Sequence, residues 1–434
     1  MVDAITQQIQ LSLTELLTGL PAPQAEPGTP LIVAYSGGVD STVLLHALSS
    51  LPEPYYHTPI HAVHIHHGLS RHADEWQAHC KAQAELLGCT FHTCNIQVIS
   101  QRRKSIEATA RNGRYRVLLD YAQQVGGILV LGQHQDDQLE TFWLQAKRGA
   151  GPKGLGSMQA ISWREGVAIV RPMLQLSRLD LEQIAAQRDM AFVTDESNSD
   201  TRFDRNYIRN EITPLLKQRW PQIATTVSRS AALCAEQTAL LEEVLDSRLS
   251  QLVDNDHALD CTGLMNFSIA WQKHLIRRWL ETGNADMPSA AQMAELLAMP
   301  TLRQDAQPVL VLGEHSVRLH NNWLKLVRDL PRPPVEGTLV PADIQTQLPW
   351  WETAFRVSSP VVAVGHMPSI RIRLQHTPFS KKLKDWFKMW KVPVWERANV
   401  PVLMLADKPV AIILKDEVIY LADRPADLQI TVQE

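Results

Sequence analysis

Apolar residues at Ile5, Ile9, Leu13, Leu16 and Leu17 recur at helical spacing, and Pro21, Pro23, Pro27 and Pro30 then punctuate the chain; this predicts an amphipathic helix and an irregular lead-in. Strand-like runs follow at Leu31 to Tyr35, His61 to Ile65, Thr90 to Val98 and Ile128 to Leu131. Between them lie helical stretches around Ser41 to Leu48, Asp74 to Leu87 and Ser105 to Ala122, with another expected over 137–147. This alternation predicts an α/β fold, a doubly wound parallel sheet covered by helices. The texture changes near Pro214. Residues 222–298 carry helical stripes such as Leu240, Leu241, Val244, Leu245 and Leu249, or Leu275, Ile276, Trp279 and Leu280, without strand-like runs. Two short β-like runs, Val309 to Leu312 and Leu324 to Val327, precede a linker at Pro331, Pro333, Pro334 and Gly337, after which a final unit begins. The expected division is 1–215, 216–332 and 333–434.

Composition narrows the class. At 45% hydrophobic and 20% charged residues, the chain fits neither a disordered nor a membrane protein. No apolar run reaches the ~18 residues that span a bilayer, and the first ten residues lack the features of a signal peptide, so a cytoplasmic enzyme with no membrane partner is expected. The cysteines at 80, 89, 94, 234 and 261 form no Cys-x-x-Cys pair, which argues for free thiols and against iron–sulfur or structural zinc sites. A net charge of -4 carries no global nucleic-acid signal. Locally the balance reverses: Arg371, Arg373, Lys381, Lys382, Lys384, Lys388, Lys391 and Arg397 face only Asp385 and Glu396. Interleaved with Trp386 and Phe387, they suit RNA phosphates, although those two aromatics also read as core.

The sharpest chemistry follows the first strand. Ser36-Gly37-Gly38-Val39-Asp40-Ser41 joins a strand to a helix, and its glycines, helix-start N–H groups and hydroxyls make an anion cradle. No G-x-x-x-x-G-K-[ST] occurs, so γ-phosphate cleavage is not indicated. Asp40 would repel a bare phosphate and fits a shared magnesium ion, with displacement at the α-phosphate. The run resembles the signature of the pyrophosphatase-loop ATPases, which implies adenylation of a substrate oxygen with release of pyrophosphate.

Other segments add candidates. Gly149-Ala-Gly151-Pro-Lys-Gly154 matches the letters of a dinucleotide loop but follows a helix, and with Pro152 expected to block a helix start it reads as a mobile loop beside the site. On a strand His64 and His66 share a face and His67 takes the other, which makes a three-histidine zinc site awkward. Asp137 and Glu140 sit three apart where a helix opens after the strand at Ile128 to Leu131, either as dipole partners or as functional carboxylates converging with Asp40. Arg111 and Arg114 are spaced to reach one anion, and the polar stretch Asp195 to Arg209 is expensive to bury without a ligand.

Taken in order, these segments resemble the tRNA(Ile)-lysidine synthetases in their three-domain bacterial form. The likeness rests on the phosphate loop, His67-Gly68-Leu69, Glu107 to Tyr115, Asp136 to Thr141, Lys147-Arg148-Gly149, Asp195 to Arg209 and Lys381 to Arg397. It implies an adenine nucleotide α-hydrolase-like catalytic domain, a mainly helical tRNA-binding domain and a small α+β C-terminal tRNA-binding domain. It also implies ATP and Mg2+ as cofactors, with L-lysine and the CAU-anticodon isoleucine tRNA as partners; a homodimer is left open. By motif position it assigns ATP to Ser36 through Ser41 and His67, magnesium to Asp40 and Asp137, and catalysis to Asp40, Asp137, Glu140, Arg111 and Arg205. In the implied reaction cytidine is adenylated and lysine then attacks C2, with Glu140 aligning or deprotonating the amine. Gln133 and Ser70 depart from residues frequent in relatives. A tRNA cytidine thiolation enzyme is the alternative, disfavoured by the missing Cys-x-x-Cys pair.

Overall fold

Ile9, Leu13 and Leu17 do form one buried stripe, on helix α1 (Ala4–Thr18), whose start is capped by Asp3 accepting from the Thr6 N–H at 2.8 Å. The structure is a computed structural model describing residues 3–22, 26–66, 72–95, 106–302, 308–328, 330–365, 370–415 and 417–432; the side chains of 106–112, 197 and 198 lie outside that description. It divides into two compact units, Met1–Leu241 and Glu242–Glu434.

In the first unit β1 (Leu31–Ala34), β2 (Ile60–His66), β3 (Thr90–Asn95) and β4 (Ile128–Val130) are parallel, as expected. Two strands absent from the expectation, β5 (Ile161–Arg164) and β6 (Val167–Val170), complete the order β3-β2-β1-β4-β6-β5, with β5 antiparallel at the edge. Side chains alternate across the sheet. Leu31, Val33, Ile128, Val130, Ala168 and Val170 pack with α1, α2 (Val39–Leu48), α3 (Ala73–Leu86) and, later in the chain, α7 (Arg178–Gln187). Ile32, Leu129, Val167 and Ile169 pack instead against Leu118, Leu119 and Ala122 of α4 (Ile106–Val125). Burial on both faces explains the continuous apolar runs of β1 and β4, whereas β3, at the sheet edge, has no buried residue and carries polar side chains.

The chain leaves β1 to build β2 and β3, then returns to place β4 on the other side of β1. The order therefore reverses between β1 and β4, and ligands of such sheets bind beyond the strand ends at that point. The phosphate loop leaves β1 there, and α5 (Gln135–Lys147) begins five residues after β4 ends at Val130. One expectation fails nearby: Pro152 does not block a helix but occupies the first turn of α6 (Pro152–Leu155). Its missing N–H falls where a helix leaves donors unpaired and its φ is preset for helix, so proline is favoured at that position. The polar stretch after Asp195 continues as α8 (Asp204–Tyr207), a π turn (Ile208–Ile212), α9 (Thr213–Arg219) and the long α10 (Ile223–Leu249).

The second unit holds helices Ile269–Thr282 and Ala290–Ala298 around the buried Trp279. Beside them in sequence are four antiparallel strands in the order Leu259–Asp260, Trp323–Arg328, His315–His320, Val309–Leu312. His315–His320 was not among the expected runs, because its polar His315, Arg318 and His320 conceal a strand with buried Val317 and Leu319. A five-stranded sheet follows, with Trp386 and Phe387 of helix Leu383–Met389 in the adjoining core, as their spacing suggested. No helix among the described residues is long and apolar enough to cross a membrane.

Candidate active site

Gly37 turns the chain at φ +82°, and a Cβ there would stand 2.6 Å from Cys80 Sγ and 3.0 Å from Val193, so only glycine fits both the dihedral and the space. Its carbonyl accepts from the Val193 N–H at 2.9 Å and the Thr42 hydroxyl at 3.3 Å, which fixes the loop against two neighbours. Ser36 and Ser41 hydroxyls lie 3.1 Å apart, and Ser41 donates to the Gly38 carbonyl at 3.0 Å. No side chain caps the start of α2 at Gly38, so Val39 and Asp40 open a helix whose first turn is available to an anion.

The second half of the site comes from the start of α5. Gly132 permits the approach: a Cβ there would lie 3.2 Å from the Asp40 carbonyl oxygen. His134 is fully buried, with Nε2 3.6 Å from Asp40 Oδ2 and 3.4 Å from Asp137 Oδ2. The two acidic clusters expected to converge thus flank one imidazole. Burial pushes His134 down, but Asp137, Asp40 and Asp136 more than compensate and raise it.

Beyond His134 lies an ion-pair clasp. Arg205 donates from Nε to Glu140 Oε2 at 2.7 Å and from its terminal nitrogen to Asp137 Oδ1 at 2.7 Å. Arg209 donates from Nε to Glu140 Oε1 at 2.6 Å and from its terminal nitrogen to Asp137 Oδ1 at 3.1 Å and Glu140 Oε2 at 3.0 Å. The side chains of Glu140 and Asp137 are 2% and 10% exposed, so these charges interact with little solvent screening. Burial pushes Asp137 up, yet His134, Arg205 and Arg209 bring it down to about 2. Burial likewise opposes the Arg205 charge, and Asp137 with Glu140 outweighs it and raises the guanidinium further.

Asp40, Asp137, Glu140 and Arg205 therefore come together with the Ser36–Ser41 loop. His67 lies outside the described residues, and Arg111 is on α4 with its side chain outside them. Two residues of this cluster were not assigned from sequence: Arg209, signalled by its four-residue spacing from Arg205, and His134, whose position three residues before Asp137 at the helix start was the clue. Gln133 is engaged elsewhere, accepting from Arg171. His64 bonds the Tyr35 carbonyl at 3.0 Å and His66 pairs with Asp74 at 3.0 Å, which fits imidazoles satisfied at a strand end. Among the described residues no three His, Cys, Asp or Glu side chains form a metal-binding group. Asp40 Oδ1 is nevertheless buried without a partner, a hard oxygen donor that fits a magnesium ion completed by phosphate oxygens. Asp137 Oδ1 is occupied by Arg205 and Arg209, while Oδ2 accepts the His134 N–H and keeps a second lone pair that fits the same ion.

In the second unit, Phe379, Trp386 and Trp390 stack at 6.0 and 5.6 Å, and Lys381 lies over the Phe379 and Trp386 rings at 5.1 and 5.4 Å. Arg371, Arg373, Lys382, Lys384, Lys388 and Lys391 are exposed around them, which makes the basic surface expected from their sequence.

A sheet reversing at β1 and β4, with a glycine cradle on one strand end and carboxylates on the other, defines an ATP-binding PP-loop protein. Family models agree: residues 5–216 match a PP-loop domain, 259–324 a TilS substrate binding domain and 362–414 a TilS substrate C-terminal domain. The tRNA(Ile)-lysidine synthase of Vibrio campbellii is 37% identical over 411 residues, covering 89% of this chain and 92% of that protein. Those of Vibrio parahaemolyticus (38% over 408 residues, 89% and 91%) and Serratia proteamaculans (37% over 398 residues, 88% and 90%) are similar to the same extent. The chain belongs to the tRNA(Ile)-lysidine synthase family.

Proposed function

We propose that the chain joins L-lysine to C2 of the wobble cytidine in the CAU-anticodon isoleucine tRNA, converting ATP to AMP and pyrophosphate and changing the codon read from AUG to AUA. The observation that carries the reading is the meeting of Asp40, on the phosphate loop, with Asp137 across His134. It brings an anion cradle next to a buried set of carboxylates and guanidiniums, so a nucleotide and a cationic amine would be held side by side.

Cytosine C2 is a poor electrophile because its oxygen is a very bad leaving group. Attack of that oxygen on the α-phosphate would turn it into the leaving group AMP, with the uncapped start of α2 and the Ser36 and Ser41 hydroxyls binding the phosphates. Magnesium held by Asp40 would supply charge neutralisation for the departing pyrophosphate. Lysine would bind these carboxylates as its ammonium, of ordinary pKa ~10.4, and would release a proton to solvent before its nitrogen bonds C2 and the C2–O bond to AMP breaks. With its carboxyl at about 2, Asp137 serves as a permanent negative charge and a poor proton acceptor. Both Glu140 oxygens are bonded to guanidiniums, which favours alignment of the amine over its deprotonation. As ammonium replaces a guanidinium at these carboxylates, the released arginine becomes available to a phosphate.

Incubation with unmodified isoleucine tRNA, ATP and labelled lysine tests the proposal. Labelled RNA and AMP in equal amounts are expected. ADP, or sulfur entering the RNA in place of lysine, would refute it.

A further inference from the structure

Between Asp204 and Arg219 the backbone is one helical rod interrupted by the π turn Ile208–Ile212. Pro214 is the sequence cause: it has no N–H for the residue four back, Asn210, and its ring crowds that carbonyl, so the turn widens. The widening changes which residues share a face. On an unbroken α-helix at about 100° per residue, Lys217 would stand about 120° round from Arg205; one extra residue in the turn returns it to within about 20°. Arg205, Arg209, Thr213 and Lys217 then form one stripe, and Thr213, between the two ends, is buried.

Opposite runs α5, and the partners ascend in reverse order. Lys147 pairs with Asp204 at 2.6 Å, Glu140 and Asp137 with Arg205 and Arg209, and Asp136 with Lys217. Asp136 is buried and also accepts the Arg178 N–H at 2.9 Å, so it ties the starts of α5 and α7 to the Lys217 end of the rod.

We propose that Lys217 and Asp136, brought into register by the π turn, are positioning residues that keep the rod docked while Arg205 and Arg209 exchange partners. The inference rests on the reading of Asp137 and Glu140 as the lysine-binding carboxylates. When an incoming ammonium takes those carboxylates, the arginines lose the bonds that hold them, and Lys217–Asp136 is a cationic rung that the amine does not contest. Without it the rod would move with the arginines, and the amine would meet a displaced pocket.

The test compares steady-state kinetics of Lys217→Met, Lys217→Arg, an alanine inserted after the exposed Glu211 and Asp137→Asn. Lys217→Met is expected to raise KM for lysine about tenfold or more, as misplaced binding groups do, and to leave KM for ATP unchanged. Lys217→Arg is expected to restore most of the loss. Inserting an alanine after Glu211 adds a residue beyond the one the π turn absorbs, turns Lys217 away by about 100° and should reproduce the Lys217→Met phenotype, with no further loss when the two are combined. Thermal unfolding and circular dichroism check that each variant folds. A parental KM for lysine in folded Lys217→Met, while Asp137→Asn raises it, overturns the inference and leaves the site reading intact. If neither variant moves it, the lysine-site reading fails.

Discussion

Replacing Arg209 by methionine removes one guanidinium from a buried set of two carboxylates and two arginines. Glu140 Oε1 loses the donor at 2.6 Å and Asp137 Oδ1 the donor at 3.1 Å, so two negative charges are left facing Arg205. Breaking a buried ion pair from one side costs about 3–5 kcal/mol. Because the Arg209 side chain is 24% exposed, water reaches part of the gap and the lower end, about 3 kcal/mol, applies. At roughly 2–4 °C per kcal/mol for a unit of this size, the unfolding midpoint should fall by about 6–12 °C. Adding Glu140→Gln removes the stranded charge, so the double variant should recover part of the loss. A cycle of the four proteins, unfolded in urea and checked by amide exchange along α5, should return a coupling of about 2 kcal/mol. A single-variant loss below about 0.5 kcal/mol, or a coupling near zero, would show that the clasp is solvent-screened and refute the argument.

Three further outcomes follow from the same geometry. Asp40→Ala should lower AMP formation by about a hundredfold or more in a protein that still folds, and because it also takes one of the carboxylates facing His134 it should lower that imidazole's pKa, read by NMR titration; parental AMP formation would show that Asp40 has no part in the reaction. Gly37→Ala should lose nucleotide binding and at least about 1 kcal/mol of stability, measured by ATP titration and urea unfolding, because the added methyl meets Cys80 at a positive φ. Against the effect of burial, His134, Arg205 and Arg209 hold Asp137 below its unfolded value of ~3.9, so its charge contributes stability that is present above about pH 4 and is lost as pH falls through the lower folded value. Urea midpoints between pH 5 and 2 should fall less steeply in Asp137→Asn, and an unchanged slope would contradict the depressed value.

The sequence by itself determined the elements and one half of the site. The runs at Leu31 and Ile128 read as strands because central parallel strands buried on both faces are apolar throughout, and the Ser36–Ser41 turn was legible because its chemistry lies within six consecutive residues. Asp137 and Glu140 were legible for a similar reason: three residues on a helix suffice to put them on one face. What only the tertiary structure decided is pairing over distance. Arg205 reaches Glu140 across 65 residues of chain and Lys217 reaches Asp136 across 81, and no local periodicity encodes such a partner. His134 reads as an ordinary helix-start residue until β1 and β4, brought side by side by the crossover, press Asp40 against it. Strand Val167–Val170 is too short for alternation to register and is a strand because β4 offers it an unpaired edge. Spacing along the chain sets which side chains share a face, whereas burial, and with it the strength of every charge in this site, depends on which faces the fold brings together.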